Sequence, residues 1–94
     1  MQLLGQKLLT DFQMKHPNAR KPLDAWRSEV THSNWSASQD IKERYVSASF
    51  LENNKVIFNI KGNDYRLVVK VQYKRNMVQI EWIGTHEEYN KKKF

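Results

Sequence analysis

The chain has no cysteine. That removes a disulfide framework, a thiolate zinc site and a cysteine nucleophile, and it fits the cytosol. No apolar run is long enough to cross a membrane. At the N-terminus, Met1 to Gly5 gives way at once to polar Gln6 and Lys7, so no signal peptide is expected. Repeats are absent, and the terminal Lys91-Lys92-Lys93 is the one low-complexity stretch. His16, His32 and His86 stand far apart and acidic residues are sparse around His86. No metal-ligand set can be read from that spacing, and no cofactor is expected.

What is present is a basic chain of 94 residues with a formal net charge of +6. That length makes one domain, 1–94, able to bury roughly 60–68% of its unfolded surface. The charge is uneven. Residues 1–54 carry seven cations against six anions, and residues 55–94 carry nine against four. The excess lies on the C-terminal half, where a polyanionic partner is the natural inference and a merely soluble basic surface the bland one.

Periodicity divides the chain in two. Leu8, Leu9 and Phe12 share a helical face, which predicts an amphipathic helix over 6–15. His16-Pro17 ends it, because the residue before proline avoids the α region. Asn18 is placed to cap a second helix, regular from about Pro22, with Leu23, Trp26 and Val30 as its apolar stripe. Ser36 to Asp40 reads as a loop and Ile41 to Tyr45 as a short helical turn, with Trp35, Tyr45 and Phe50 as anchors. The period then becomes two. Val56, Phe58 and Ile60 form one face; Leu67, Val69, Val71 and Tyr73 the next; Val78, Ile80 and Trp82 the third. Gly62-Asn63 and Arg75-Asn76 are the turns between them. The expectation is α+β: two helices packed on one face of a small antiparallel sheet, the other face partly polar and basic. Trp26, Trp35 and Trp82 read as core.

In such a meander the Gly62-Asn63 turn and the Gly84-Thr85-His86 exit lie at the same end. That gathers Lys61, Asn63, Arg66, His86 and Tyr89, with Asn59, Lys61 and Arg66 sharing the open face if the hairpin register puts them on one side. The set suits phosphodiester chemistry. RNA cleavage without a metal needs a base for the 2′-hydroxyl, a cation for the transition-state charge and an acid for the departing 5′-oxygen. Arg66 matches the cation, since its planar fork grips two phosphate oxygens. His86 matches base or acid, because an imidazole is the side chain that exchanges a proton near neutral pH. Tyr89 positions the phosphate, stacks on a base or shares the proton transfer, and Lys61 adds positive charge. Lys70, Lys91 and Lys92 extend the basic surface toward RNA. Each has a plain rival: Arg66 paired with Asp64 or Glu81, His86 as a surface residue, Tyr89 as a core-edge ring, and the lysines as a solvated tail.

The same residues carry a resemblance. Val56-Ile57-Phe58-Asn59-Ile60-Lys61-Gly62-Asn63-Asp64-Tyr65-Arg66-Leu67-Val68-Val69, then Gly84-Thr85-His86-Glu87-Glu88-Tyr89, resembles the core signature of HigB-type toxins of the RelE-like superfamily. Lys15-His16-Pro17, Ala25-Trp26 and Ser47-Ala48-Ser49-Phe50 resemble it too. The resemblance implies a RelE-like fold in which Met1 to Leu4 is an edge strand. It implies a cytoplasmic mRNA endonuclease acting mainly on the translating ribosome. It also implies a cognate HigA-like antitoxin with a helix-turn-helix domain, operator DNA reached only through that antitoxin, and no membrane partner. Arg66 matches the family's arginine after the Gly-Asn turn, and His86 and Tyr89 match its Thr-His-x-Glu-Tyr segment. The family usually has Asp after that tyrosine; here it is Asn90. A non-catalytic RNA- or ribosome-binding module, or an inactivated toxin that only binds its antitoxin, would use the same basic face.

Overall fold

In the computed structural model, residues 1–92 are described; Lys93 of the lysine tail lies outside the described residues. The order is β1 (Gln2–Leu4), α1 (Gln6–Lys15), a 3-10 turn (Pro17–Ala19), α2 (Arg20–Thr31), α3 (Ser38–Arg44), β2 (Ser49–Phe50), β3 (Lys55–Ile60), β4 (Tyr65–Gln72), β5 (Met77–Thr85) and α4 (His86–Lys91). The sheet order is β1-β5-β4-β3-β2. β3, β4 and β5 form the expected antiparallel meander, and β2 extends it antiparallel to β3. β1 runs parallel to β5, so the sheet is mixed. Parallel neighbours need a long crossover, and here the helices between β1 and the meander supply it.

Alternation puts Val56, Phe58, Ile60, Leu67, Val69, Val71, Val78 and Ile80 on one face, buried against α1 and α2. α1 contributes Leu9 and Phe12; α2 contributes Leu23, Trp26 and Val30, the stripe read from the sequence. Each large apolar side chain removed from water there contributes about 1.5–3 kcal/mol. The two helices are also tied by polar groups. Gln13 Nε2 donates to the Arg20 carbonyl at 2.8 Å and to Asp24 Oδ1 at 2.9 Å. It sits 8% exposed with those bonds made.

Four expectations need correction. Asn18 does not cap α2: it lies inside the 3-10 turn, and the N-cap is Ala19 with no side-chain bond. Ser36 to Asp40 is not wholly loop, because α3 begins at Ser38. The Asp40 carboxylate accepts from the Ser36 and Ala37 N–H groups at 2.8 and 3.2 Å, which organises that start. Trp35 is buried and Tyr45 packs against the core, but Phe50 stays 38% exposed on β2, the edge strand of the sheet. Trp82 is not in the core. A β-bulge shifts the register, so that Val68 pairs with Trp82 while Val69 pairs with Ile80. Glu81 is the extra residue, and it turns Trp82 onto the face that carries Val68.

Candidate active site

The β3–β4 connection shapes one end of the sheet. The Asp64 N–H donates to the Lys61 carbonyl at 3.1 Å, closing a turn around Gly62-Asn63. Lys61 and Gly62 both have positive φ, 53° and 62°. Glycine tolerates that region, whereas for lysine it costs about 1–2 kcal/mol. Lys61 is held there with its ammonium 3.7 Å from Asp64.

Register places Asn59 opposite Arg66, and Arg66 opposite Gly84, in one row across the open face. The Arg66 guanidinium donates to the carbonyls of Asn63 at 3.1 Å and Tyr65 at 3.4 Å. Its Cζ lies 5.8 Å from the centre of the Tyr89 ring. Asp64 and Glu81, the carboxylates its plain reading relied on, are paired with Lys61 and Lys55 instead. Arg66 therefore keeps its charge among carbonyl dipoles and an aromatic face, a setting that leaves it able to meet an anion.

α4 brings His86 and Tyr89. Its start is a reciprocal cap: the Glu88 N–H donates to Thr85 Oγ1 at 3.1 Å, and the Thr85 N–H donates to Glu88 Oε1 at 2.8 Å. The Thr85 N–H, above all, holds the Glu88 carboxyl below its ordinary value; burial, the next influence, opposes it, and the Thr85 hydroxyl, His16 and Lys15 add smaller help. The His86 N–H donates to the Asp64 carbonyl at 2.9 Å, which fastens α4 to the β3–β4 turn. His86, Lys61, Asn63, Asp64, Glu87 and Asn18 line an open cleft of about 620 Å³. No group of three or more His, Asp or Glu among the described residues could hold a metal ion.

A family model described as the RelE-like toxic component of a toxin-antitoxin system, HigB toxin, matches residues 19–92. The chain belongs to the HigB toxin family. Three curated relatives each share 28% identity over 95 residues, covering 96% of this chain and 88% of the relative. They are the mRNA interferase toxin HigB of Escherichia coli (strain K12) and the mRNA interferases HigB of Escherichia coli O157:H7 and Shigella flexneri.

In this HigB-family chain the residues singled out from sequence fall into three places. Arg66, Asn59 and Tyr89 gather at the open face, and Lys92 Nζ lies 5.6 Å from the Trp82 ring centre beside them. Lys61, Asn63 and His86 line the cleft at the strand ends. Lys70 sits four residues further along β4, about 13 Å from Arg66, and Lys91 and Asn90 are exposed on α4. Two residues near this end escaped the sequence reading. His16 stacks on Phe12 at 4.3 Å and reaches 5.9 Å from Tyr65, which also lines the cleft. Sequence distance hid it, since it stands seventy residues before His86. Trp82 contacts Tyr89 at 6.2 Å between ring centres. Its signal was the Trp-x-Gly spacing, which alternation alone assigns to the core.

Proposed function

We propose that this chain is the toxin of a type II toxin–antitoxin pair and a metal-independent endoribonuclease that cuts mRNA on the ribosome. The observation that carries the proposal is Arg66: a guanidinium on the open face, beside Tyr89 and with no carboxylate partner among the described residues. In this reading Arg66 binds the scissile phosphate and stabilises the charge of the transition state. The 2′-oxygen forms a bond to phosphorus, the bond from phosphorus to the 5′-oxygen breaks, and one proton moves off the first oxygen as another moves onto the second. His86 serves one of those transfers. Tyr89 orients the phosphate under Arg66, while Asn59, Lys61, Asn63, Lys70, Lys91 and Lys92 follow the RNA backbone. The names of the curated relatives support the same activity.

The partner in this reading is a helix-turn-helix, HigA-like antitoxin that carries the pair to operator DNA, and the site of action is the cytoplasm, where ribosomes are. A second reading, an inactivated toxin or binding module, draws on Asn90, an amide where the family usually has a carboxylate.

The deciding experiment is primer extension on mRNA carried by programmed ribosomes. Discrete cuts are expected with the wild type, with and without a chelator selective for transition metals, magnesium being kept at the level that ribosomes need. Arg66→Ala is expected to cut about 100- to 1,000-fold more slowly. Ribosome binding without cuts would favour the second reading, and loss of cutting with that chelator would overturn metal independence.

A further inference from the structure

Three rows cross the open face: Asn59–Arg66–Gly84, Ile57–Val68–Trp82 and Lys55–Lys70–Gln79. The middle row is apolar. Ile57 and Val68 are 5% and 0% exposed although they lie outside the main core. The outer rows carry cations, and Lys55 directly opposes Lys70, a like-charge pairing that sheets ordinarily avoid. Glu81 reaches Lys55 at 3.4 Å.

Trp82 owes its place in the middle row to two local features. The bulge at Glu81 takes it out of phase with Val78 and Ile80. Gly84 then leaves room for the ring: a Cβ at residue 84 would stand 2.5 Å from the indole Cζ2 and Cη2. Covering Ile57 and Val68 would need only a regular strand and an aliphatic side chain. What the bulge and the glycine achieve together is a half-buried indole on the open face, tilted 51° to Tyr89, with Lys92 near Trp82 and Arg66 near Tyr89. Rings interleaved with cations are the composition by which proteins hold single-stranded nucleic acid.

We infer that Trp82 is a base-stacking platform, holding the base of the RNA nucleotide next to the phosphate bound at Arg66 and so contributing to the choice of cut site. This deepens the endonuclease reading and rests on its assignment of the open face to RNA. Tyr89 and Trp82 then divide the work, one at the phosphate and one at the neighbouring base.

The test uses the full-length protein and a 2′-O-methyl hexaribonucleotide, which cannot be cleaved, together with versions lacking one base at each position in turn. Kd is read from the anisotropy of a dye at the 3′ end of the oligonucleotide, which serves every variant alike; Trp26 and Trp35 are 2% and 6% exposed, so quenching of the intrinsic fluorescence in the wild type reports chiefly Trp82. Quenching is expected in the wild type. Trp82→Leu is expected to raise Kd roughly tenfold. Removing the base at one position is expected to weaken the wild type by a similar factor and to leave Trp82→Leu unchanged. Equal losses in both proteins at every position, or no binding by the wild type, would overturn the inference. Circular dichroism checks folding. Should Trp82→Leu not fold, Trp82→Phe is taken through the same cycle, with a smaller rise in Kd expected and an unchanged Kd counting against the platform. Cleavage on programmed ribosomes is measured in parallel, so an inactive wild type refutes the endonuclease reading while base coupling alone decides the role of Trp82.

Discussion

On the face of the sheet that α1 and α2 cover, β3, β4 and β5 present branched and aromatic residues that pack into one apolar cluster. On the other face the same strands present Asn59, Lys55, Arg66 and Lys70 around a small apolar centre of Ile57 and Val68. One set of strands thus carries two jobs, separated by the two-residue period. The covered face supplies the stability; the open face spends little of its surface on packing and holds its charges in fixed rows. The two should therefore respond to mutation in different observables.

The largest expected effect lies on the covered face. Phe58 is 1% exposed and touches Trp26, Trp35 and Tyr45 through ring contacts of 5.0–6.2 Å. Phe58→Ala is expected to cost about 3–5 kcal/mol in urea denaturation. A loss of cutting with stability unchanged would erase the division between the faces. Arg66→Ala is its mirror image: a large loss of activity at little cost in stability.

Gly84→Ala tests the border between the two. The added methyl collides with the Trp82 ring, so overpacking is expected to lower stability by about 1–3 kcal/mol and to shift the fluorescence of Trp82. An unchanged spectrum and melting temperature would mean that the indole does not depend on that glycine.

The smallest effect belongs to the cap of α4. The folded carboxyl of Glu88 is held below its ordinary value of 4.5, so its ionised form is favoured by folding. That contribution is complete above about pH 4.5 and disappears as the pH falls through the folded value. Melting curves should therefore show a slightly steeper acid-side loss in the wild type than in Glu88→Gln. Parallel curves would remove the carboxylate from the account of how α4 is held.

Much of this was legible beforehand where local chemistry decides. α1 spans the predicted 6–15, Leu23, Trp26 and Val30 are buried together, and Asn76 takes the positive φ of 59° expected at its turn. The candidate site was legible in part. Arg66, Asn59 and Tyr89 meet because strand direction and pairing can be counted along the chain. Trp82 was misassigned because one bulged residue reverses the phase of all that follows it, and no single residue announces a bulge. His16 was passed over because its closeness to Tyr65 depends on how α1 packs.

By itself, then, the sequence determined the elements and the two-faced alternation of the strands, since turn chemistry and apolar period act over a few residues. It also determined where the positive charge lies along the chain. The tertiary structure alone decided that β1 lies parallel beside β5. It decided that His16 comes near the end of the sheet, and that Trp82 faces outward beside Arg66 and Tyr89 rather than inward. These outcomes depend on pairing register and helix packing between residues far apart in the chain, and a local pattern carries no record of either.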